Sequence, residues 1–224
     1  MKSTSTIAVV SFVDEIKRRV SALPVQKTEP IRAIRKEFSK RIVSLPPKTV
    51  LYLADELIGQ NRFVYRWIAY ELVEHHQEAL KSLRVKELEK LGKGIDSWYA
   101  VDSFACALSG QAWREGQISD STISRWAASE NLWWRRAALV STVPLNNTAR
   151  GGKGDAKRTL AVCELLMNDR EDMVVKAVSW ALRELSKKDS ASVKRFIHRN
   201  KSKLASRVIR EVQNKLTTGL KNPR

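Results

Sequence analysis

The sequence has little cysteine, and it lacks a long apolar run. Only two cysteines occur, Cys106 and Cys163, and both lie in apolar helical patterns. We therefore expect no disulfide scaffold, and we expect a reducing compartment, the cytoplasm with its nucleoid. No stretch approaches the run of about 18 apolar residues that a membrane span needs, so no span is expected.

The beginning of the sequence superficially resembles a secretory signal. Lys2 is followed by the apolar run IAVVSFV from Ile7 to Val13. This run continues directly into DEIKRR, without the small residues of a cleavage site. Export is therefore not expected.

Histidine is also scarce, and the motifs of several common enzymes are missing. His75 and His76 are adjacent, so on a helix they point about 100° apart, and His198 is distant along the chain. This spacing suits no metal site. The sequence contains no nucleotide-phosphate loop, no dinucleotide fingerprint and no nucleophile elbow, and neither cysteine has an adjacent base. An enzyme with this sequence would work without a metal or another cofactor.

Acidic residues are too few to balance the basic ones. The formal net charge is +17 and the isoelectric point is about 10.1, which indicates a polyanionic partner in preference to an anionic membrane surface. The excess is uneven, because residues 183–224 hold 13 Lys or Arg against three acids, a net of +10, which leaves +7 for residues 1–182. The C-terminal region is therefore a candidate phosphate-facing surface.

Apolar residues recur at helical spacing along nearly the whole chain, and the alternation typical of strands is missing. The sequence therefore predicts an all-α protein with a single domain spanning residues 1–224. The predicted helices share an apolar stripe and cover approximately residues 31–42, 50–58, 62–76, 78–91, 96–109, 119–128, 131–142, 155–168, 171–187, 190–199 and 202–216.

Three helical segments resemble one another: NRFVYRWIA, NLWWRRAAL and EDMVVKAVS. In each, an aromatic residue or methionine precedes a basic residue by three positions, and the basic residues are Arg66, Arg136 and Lys176. This is the pattern of the second helix in HEAT-like repeats, whose helix pairs stack into a curved solenoid. Basic residues projecting from one helix of each pair would line a basic concave face that fits duplex DNA.

The stretch IDSWYAVDSFACALSG, residues 95–110, is a helix with marked ends. Asp96 or Ser97 can cap its first turn, and Gly110 can close it with a positive φ. Trp98 and Asp102 are four residues apart, so an aromatic ring and a carboxylate share one helical face. That pairing suits a cationic ligand. The alternative is that Trp98 is a core aromatic and Asp102 an ordinary surface or paired acid.

Two further features have ordinary interpretations. The segment NNTARGGKGDAK, residues 146–157, is predicted to be a solvated linker between two repeats, with a DNA-contacting loop as the alternative. Four tryptophans are predicted to lie in the core between repeats: Trp67, Trp113, Trp126 and Trp133. A fifth, Trp134, stays unassigned because its neighbour Trp133 occupies the apolar position.

Three motifs follow one another along the chain: DSWYAVD (96–102), WAASENLWWRRAAL (126–139) and KAVSWALRELSKK (176–188). Together they resemble the DNA alkylation repair protein family, the AlkD-like DNA glycosylases. The similarity is close from about residue 95 to 190, and looser but collinear from about 28 to 94.

The resemblance implies a HEAT-like solenoid that binds duplex DNA and acts in base excision repair. It implies removal of N3- or N7-alkylated purines, such as 3-methyladenine and 7-methylguanine, without turning the lesion out of the helix. The family's aromatic residue and carboxylate fall on Trp98 and Asp102, and the tryptophan of its last motif falls on Trp180. Its arginine ahead of paired alanines falls on Arg136, and Arg183 follows Trp180.

The chemistry can also be argued from the residues. Alkylation at N3 or N7 makes the purine cationic and a good leaving group, so catalysis rests on stabilising the oxocarbenium-like sugar. Asp102, ionised at neutral pH, would do this and could orient the attacking water. The rings of Trp98 and Trp180 would hold the cation. We expect Arg136, then Arg183 and Lys176, to hold backbone phosphates.

Two other interpretations remain open. A non-catalytic HEAT-repeat protein could bind damaged or branched DNA, although a clamp of this kind would need the basic residues without Asp102. An RNA-associated or protein-binding scaffold also fits the charge. The sequence departs from the family near its beginning, where FVDEIKRRV replaces a tyrosine-containing helix, and at Pro144, where a lysine is expected. A monomer is expected in every case.

Overall fold

The computed structural model describes residues 4–223, with side chains from residue 9 onward. Within this range the regular elements are helices and no strand occurs, which confirms the all-α prediction. Contacts between residues divide the chain into two compact units, Met1–Gly94 and Ile95–Arg224. Among the described residues, no helix combines the length and the apolar character that crossing a bilayer requires.

The first unit consists of helices in two layers. α1 packs on α3 and α2 packs on α4, while α3 and α4 also pack on each other. The apolar stripe of α2 shows why, since Ile31, Ile34, Phe38 and Ile42 recur at helical spacing and are all buried. The helices of this unit are α1 (Thr4–Ser21), α2 (Thr28–Ile42), α3 (Pro47–Ile58), α4 (Phe63–Glu74), α5 (Gln77–Ser82) and α6 (Val85–Leu91).

The second unit has the same two-layer arrangement. Its helices are α7 (Trp98–Phe104), which continues through a π-helical segment (Ala105–Ser109) into α8 (Gly110–Arg114), then α9 (Asp120–Ala127), α10 (Leu132–Val140), α11 (Val143–Asn146), a 3₁₀ turn (Thr148–Arg150), α12 (Ala156–Leu166), α13 (Asp172–Leu185), α14 (Ser190–Arg199) and α15 (Ser206–Thr218). α7, α10, α13 and α15 pack in succession as one layer, and α9 and α12 form a second layer behind α10 and α13. Stacked helix pairs of this kind are typical of HEAT-like repeats.

Helix α10 can lie between two neighbours because its packing face carries small residues. Ala137 and Ala138 are completely buried, and α10 contacts both α7 and α13. The helix begins at Asn131, whose side-chain oxygen accepts a hydrogen bond from the backbone N–H of Trp133 at 2.8 Å. This cap fixes the start of the helix and therefore the direction in which its later side chains point.

One predicted helix is divided in the structure. Residues 78–91 form α5 and α6, because the backbone is extended at Leu83 and Arg84. The Glu87 carboxylate accepts the backbone N–H of Arg84 at 3.2 Å and so caps the second helix. The apolar period continues through this break, which is why periodicity alone did not indicate it.

The prediction that Gly110 ends a helix with a positive φ was wrong. Its φ is −69° and helical structure continues through it to Arg114. A Cβ at this position would lie 2.6 Å from the Ser141 carbonyl oxygen and 2.7 Å from a Pro144 ring carbon. Gly110 is required for close helix packing, and Pro144, noted above as a departure from the family, is the residue packed against it.

The glycine-rich segment is a packed loop, which corrects the expectation of a solvated linker. A Cβ on Gly152 would lie 2.6 Å from the Pro144 carbonyl oxygen, so the backbone is folded tightly on itself there. Arg150 donates to the Cys106 carbonyl oxygen at 3.0 Å, and Lys188 donates to Thr148 Oγ1 at 2.7 Å. These bonds fix the loop against the π-helical segment and the end of α13.

Only part of the tryptophan prediction was right. Trp113 and Trp126 are buried, as expected. Trp67 and Trp133 are half-buried, so placing them in the core was wrong. Of the adjacent pair, Trp134 is the one that packs, with its ring centroid 4.9 Å from that of Trp126. Both cysteines are buried, as expected.

Candidate functional site

A surface cleft of about 280 Å³ in the second unit is lined by all six site residues predicted from the sequence. α7 contributes the first tryptophan and the aspartate, α10 contributes an arginine, and α13 contributes the rest. The six residues are Trp98, Asp102, Arg136, Lys176, Trp180 and Arg183. They lie on three successive helices of one layer, which is how residues about 80 positions apart in the chain reach one surface.

Helix α7 places its two residues on the cleft because they are one helical turn apart. The chain turns at Gly94, where φ is +72°, and Ser97 is extended immediately before the helix begins at Trp98. The Trp98 side chain is 52% exposed, an unusual position for so large an apolar ring. The Trp98 and Tyr99 rings are nearly perpendicular, at 77°, with centroids 5.5 Å apart.

Asp102 is held from one side by Arg136. Nε of Arg136 donates to one carboxylate oxygen at 3.0 Å, and Nη2 donates to the other at 3.0 Å. Nη1 donates to the backbone carbonyl oxygen of Met173, at the start of α13. Arg136 therefore connects α7, α10 and α13, and the fork of two parallel bonds fixes the plane of the carboxylate.

The two members of this pair differ in exposure. The Arg136 side chain is 6% exposed, whereas that of Asp102 is 18% exposed. Burial raises the pKa of Asp102 above its ordinary value of 3.8, and the two bonds from Arg136 offset part of that rise. The arrangement produces a partly buried carboxylate with one accessible edge.

Helix α13 contributes one face to the cleft. Met173, Lys176, Trp180 and Arg183 recur at spacings of three and four residues, so they project from the same side of the helix. On the opposite side, Ala177, Ala181 and their neighbours are buried against α10, α12 and α15. The amphipathic pattern of α13 therefore decides which of its residues reach the cleft.

The basic residues of α13 have acidic partners. Lys176 Nζ lies 2.6 Å from Asp172 Oδ2 on the same helix, and this bond lowers the pKa of Asp172. Arg183 Nε donates to Ser179 Oγ at 3.1 Å and lies 3.9 Å from a carboxylate oxygen of Glu211. Both cations remain partly exposed on the cleft.

Sequence reasoning missed Lys221 and the acid behind it. Lys221 lines the cleft from the segment after α15, where Gly219, with a φ of +75°, turns the chain away from the helix axis. Its Nζ lies 3.4 Å from Glu211 Oε1, and Ser179 Oγ donates to the other oxygen of Glu211 at 2.6 Å. The only available signal was the glycine C-cap, which indicates a turn but not its target.

Two of the three basic residues of the repeat pattern, Arg66 and Arg136, donate hydrogen bonds to backbone carbonyl oxygens of other segments. In the first unit, Arg66 donates to the carbonyl oxygens of Leu91 at 3.3 Å and Lys93 at 3.1 Å. Arg136 donates to a carbonyl oxygen in the same way, at Met173. The recurring arginine therefore joins neighbouring repeats. The expectation that Arg136 holds a phosphate stays a prediction.

The cleft combines groups of opposite charge with aromatic rings. It has one carboxylate with an accessible edge, two indole rings and three partly exposed cations, Lys176, Arg183 and Lys221. Polyanions would be attracted to the cations, while the carboxylate and the indole faces favour a positively charged group. Within residues 4–223, no cluster of three His, Cys, Asp or Glu side chains has a geometry that could hold a metal ion.

The model of a family described as DNA alkylation repair enzyme matches residues 17–216 of the 224. The match spans both units and every residue of the cleft except Lys221. No curated protein matched the sequence.

Proposed function

Because the chain belongs to the DNA alkylation repair enzyme family, we propose that it is a monofunctional DNA glycosylase acting on cationic N3- or N7-alkylated purines in duplex DNA. The reaction would be hydrolysis of the N-glycosidic bond, the first step of base excision repair. The observation that carries this proposal is the Asp102 carboxylate, fixed by Arg136 in a cleft that Trp98 and Trp180 also line.

The leaving group determines what the protein must supply. An alkylated purine carries a positive charge and departs as a neutral base, so a general acid is not needed. The developing charge lies on the sugar, and a fixed carboxylate stabilises it. The fork from Arg136 keeps Asp102 oriented and favours its ionised form against the effect of burial. The accessible edge of Asp102 can also accept a proton from the attacking water.

The tryptophans would select for charge. A cationic purine or sugar near an indole face gains about 0.5 to 2 kcal/mol from the cation–π interaction, depending on desolvation. A neutral purine gains less, so the site could prefer cationic lesions without reading the edge of a base. Trp98 is 52% exposed and can meet the ligand without rearrangement of the core.

The shape of the cleft supports action without base flipping. Enzymes that turn a base out of the helix enclose it in a fitted pocket. Here the lining residues Trp98, Asp102 and Trp180 are exposed or half-buried, so the cleft is open along the surface. We propose that Lys176, Arg183 and Lys221 bind the phosphates flanking the lesion, while the first role of Arg136 is to position Asp102.

A base-release assay tests the proposal. The native protein is incubated with a methylated duplex, and free 7-methylguanine and 3-methyladenine are measured by chromatography. Release should be enzymatic and should fall by about 100-fold or more in Asp102→Asn, because a preorganised charge at the reacting centre is lost. The same variant should still bind the duplex. Asp55→Asn is the matched control, since Asp55 pairs with Lys90 at 2.8 Å in the first unit and does not line the cleft.

The second candidate function is non-catalytic binding of damaged or branched DNA. One observation favours it, namely the pairing of Asp102 with Arg136 through two hydrogen bonds. A carboxylate bound in this way could have no other role than to connect helices. This candidate predicts duplex binding without base release by the native protein. If Asp102→Asn instead loses folding, measured by circular dichroism, Asp102→Glu supplies the test, because it keeps the charge and the pairing while displacing the carboxylate.

A further inference from the structure

The first unit contains a cleft of about 350 Å³ to which the proposed reaction assigns no role. It is formed where the chain enters α4, next to the segment between α1 and α2. Its lining consists of Gln26, Ile31, Arg62, Phe63, Val64 and Trp67. None of these residues is acidic.

Two aromatic rings form one wall of this cleft. Phe63 and Trp67 are one helical turn apart on α4, and their ring planes are nearly parallel, at 4°, with centroids 6.3 Å apart. Phe63 is 36% exposed and Trp67 is half-buried. Parallel rings with an accessible face provide a surface on which another flat ring can stack.

Two cationic groups lie near the rings, Arg62 in the lining of the cleft and Arg32 beside Trp67. Arg62, exposed at the start of α4, lies with its guanidinium carbon 5.4 Å from the Tyr65 ring centroid and donates to Gln26 Oε1 at 3.4 Å. Arg32, from α2, lies 5.6 Å from the Trp67 ring centroid and has a side chain that is 44% exposed. Its Nε donates to Glu71, so its remaining N–H groups are available for a ligand.

The backbone at the entrance to the cleft is unusual. Asn61, directly before Arg62, has a φ of +53° and is the one non-glycine residue with positive φ between residues 4 and 223. Asparagine tolerates this conformation better than most residues, at a small cost. The turn brings Arg62 and Phe63 to the cleft at the first positions of α4.

We propose that this cleft binds an unpaired nucleotide of single-stranded DNA. The base would stack on Phe63 beside Trp67, and Arg62 and Arg32 would contact the flanking phosphates. A flat apolar wall with positive charge close to it matches a ligand that combines an aromatic ring with an anion, and a nucleotide has both. The net charge of +17 favours a polyanionic strand over a neutral ring compound.

The test measures binding of a fluorescein-labelled oligothymidylate of eight nucleotides by fluorescence anisotropy. Phe63→Ala should weaken binding about tenfold, because one stacking surface is lost. Arg62→Gln should weaken it about threefold and reduce its salt dependence. The matched controls are Val43→Ala, an exposed apolar residue of the same unit, and Lys36→Gln, an exposed cation on α2, and neither should change affinity.

A second measurement tests directly where the strand binds. Ultraviolet crosslinking of the bound oligothymidylate, followed by peptide mass spectrometry, should place the crosslink on α4 at Phe63 or Trp67. Crosslinks confined to other segments would overturn the proposal, and so would equal losses of affinity in Lys36→Gln and Arg62→Gln. Thymidine monophosphate should compete weakly. Competition as strong as that of the oligomer would refute binding of a strand.

Discussion

Each unit contains an acid one helical turn after a tryptophan and paired with a buried arginine from another helix. In the first unit these residues are Trp67, Glu71 and Arg35, with Arg35 Nε donating to Glu71 at 2.9 Å. In the second unit Trp98 and Asp102 occupy the corresponding positions on α7, and Arg136 donates from α10. A tryptophan and an acid at the same spacing therefore lie in two different environments.

The difference lies in how many donors each carboxylate has. Glu71 accepts bonds from Arg35, from Arg32 at 3.1 Å and from the indole N–H of Trp67 at 2.9 Å, and its side chain is 9% exposed. Among the side chains that the structure describes, Arg136 alone donates to Asp102, and the Asp102 side chain is 18% exposed. A carboxylate can accept about four hydrogen bonds. Glu71 is therefore nearly saturated and structural, whereas Asp102 retains capacity for a substrate or a water molecule.

Neutralising each acid in turn gives the largest expected effect. Glu71→Gln should lower the free energy of unfolding by about 3 to 5 kcal/mol, because Arg35 would be left buried without its counter-charge. Asp102→Asn should cost less, about 1 to 3 kcal/mol, since this carboxylate is more accessible. Urea unfolding followed by circular dichroism gives both values.

An exposed pair provides the reference for that measurement. Glu78 lies 3.3 Å from Lys81, with its side chain 68% exposed, so Glu78→Gln should cost less than about 1 kcal/mol. Equal losses from Glu71→Gln and Asp102→Asn would mean that both acids are structural. The comparison between the two units, and the catalytic role proposed for Asp102, would then fail together.

The tryptophans provide the next test of the same contrast. Trp98→Ala should slow release of 7-methylguanine about tenfold through loss of the cation–π interaction, and Trp98→Phe should recover most of the rate. The free energy of unfolding should stay within about 0.5 kcal/mol, because the ring is already 52% exposed. A loss of rate that Phe does not recover would show that an aromatic face alone is not enough and that a property of the indole itself is needed.

The sequence predicted the second unit well because its site follows helical spacing. Trp98 and Asp102 are four residues apart, and Lys176, Trp180 and Arg183 also recur on one face. Once helices of these lengths stack as repeats, such faces meet. The family motifs supplied the remaining information, namely which of several similar faces was predicted to carry the site.

The sequence could not reveal features that depend on packing between distant segments. The close contact at Gly110 depends on Pro144, which lies more than 30 residues away, so a glycine at a helix centre resembled a helix end. The pairing of Arg136 with Asp102 also joins distant segments and was missed. In a basic sequence, an arginine is first interpreted as a phosphate contact. Lys221 reaches the cleft through a turn whose direction no local pattern encodes.

The pH dependence distinguishes Asp102 from an acid in an ordinary surface ion pair. Its folded pKa is raised above 3.8, so its contribution to stability is present at low pH and is lost as pH rises through the folded value. The stability of the native protein relative to Asp102→Asn should therefore fall as pH rises. The enzymatic rate should change in the opposite direction, falling on acidification as Asp102 is protonated.

Both trends can be measured across the pH range above 3.8. Denaturant unfolding of the two proteins gives the stability difference. The acid-side decrease in base release should be missing in Asp102→Asn. The same duplex incubated without protein corrects both rates for spontaneous depurination. A stability difference that grows with pH would show that pairing with Arg136 outweighs burial, and would contradict the partly buried environment assigned to this carboxylate.

The smallest expected effect separates cleft cations from the general positive charge. Lys176→Gln should weaken binding of an alkylated duplex about twofold and should reduce the slope of log Kd against log salt by about 0.9, the value for one phosphate contact. Lys187→Gln removes the same charge from the turn after α13. Both lysines pair with an acid, but Lys187 does not line the cleft, so the slope should change less in this variant. Identical slopes for the two variants would mean that duplex affinity comes from diffuse charge, and that the proposed phosphate contact at Lys176 does not form.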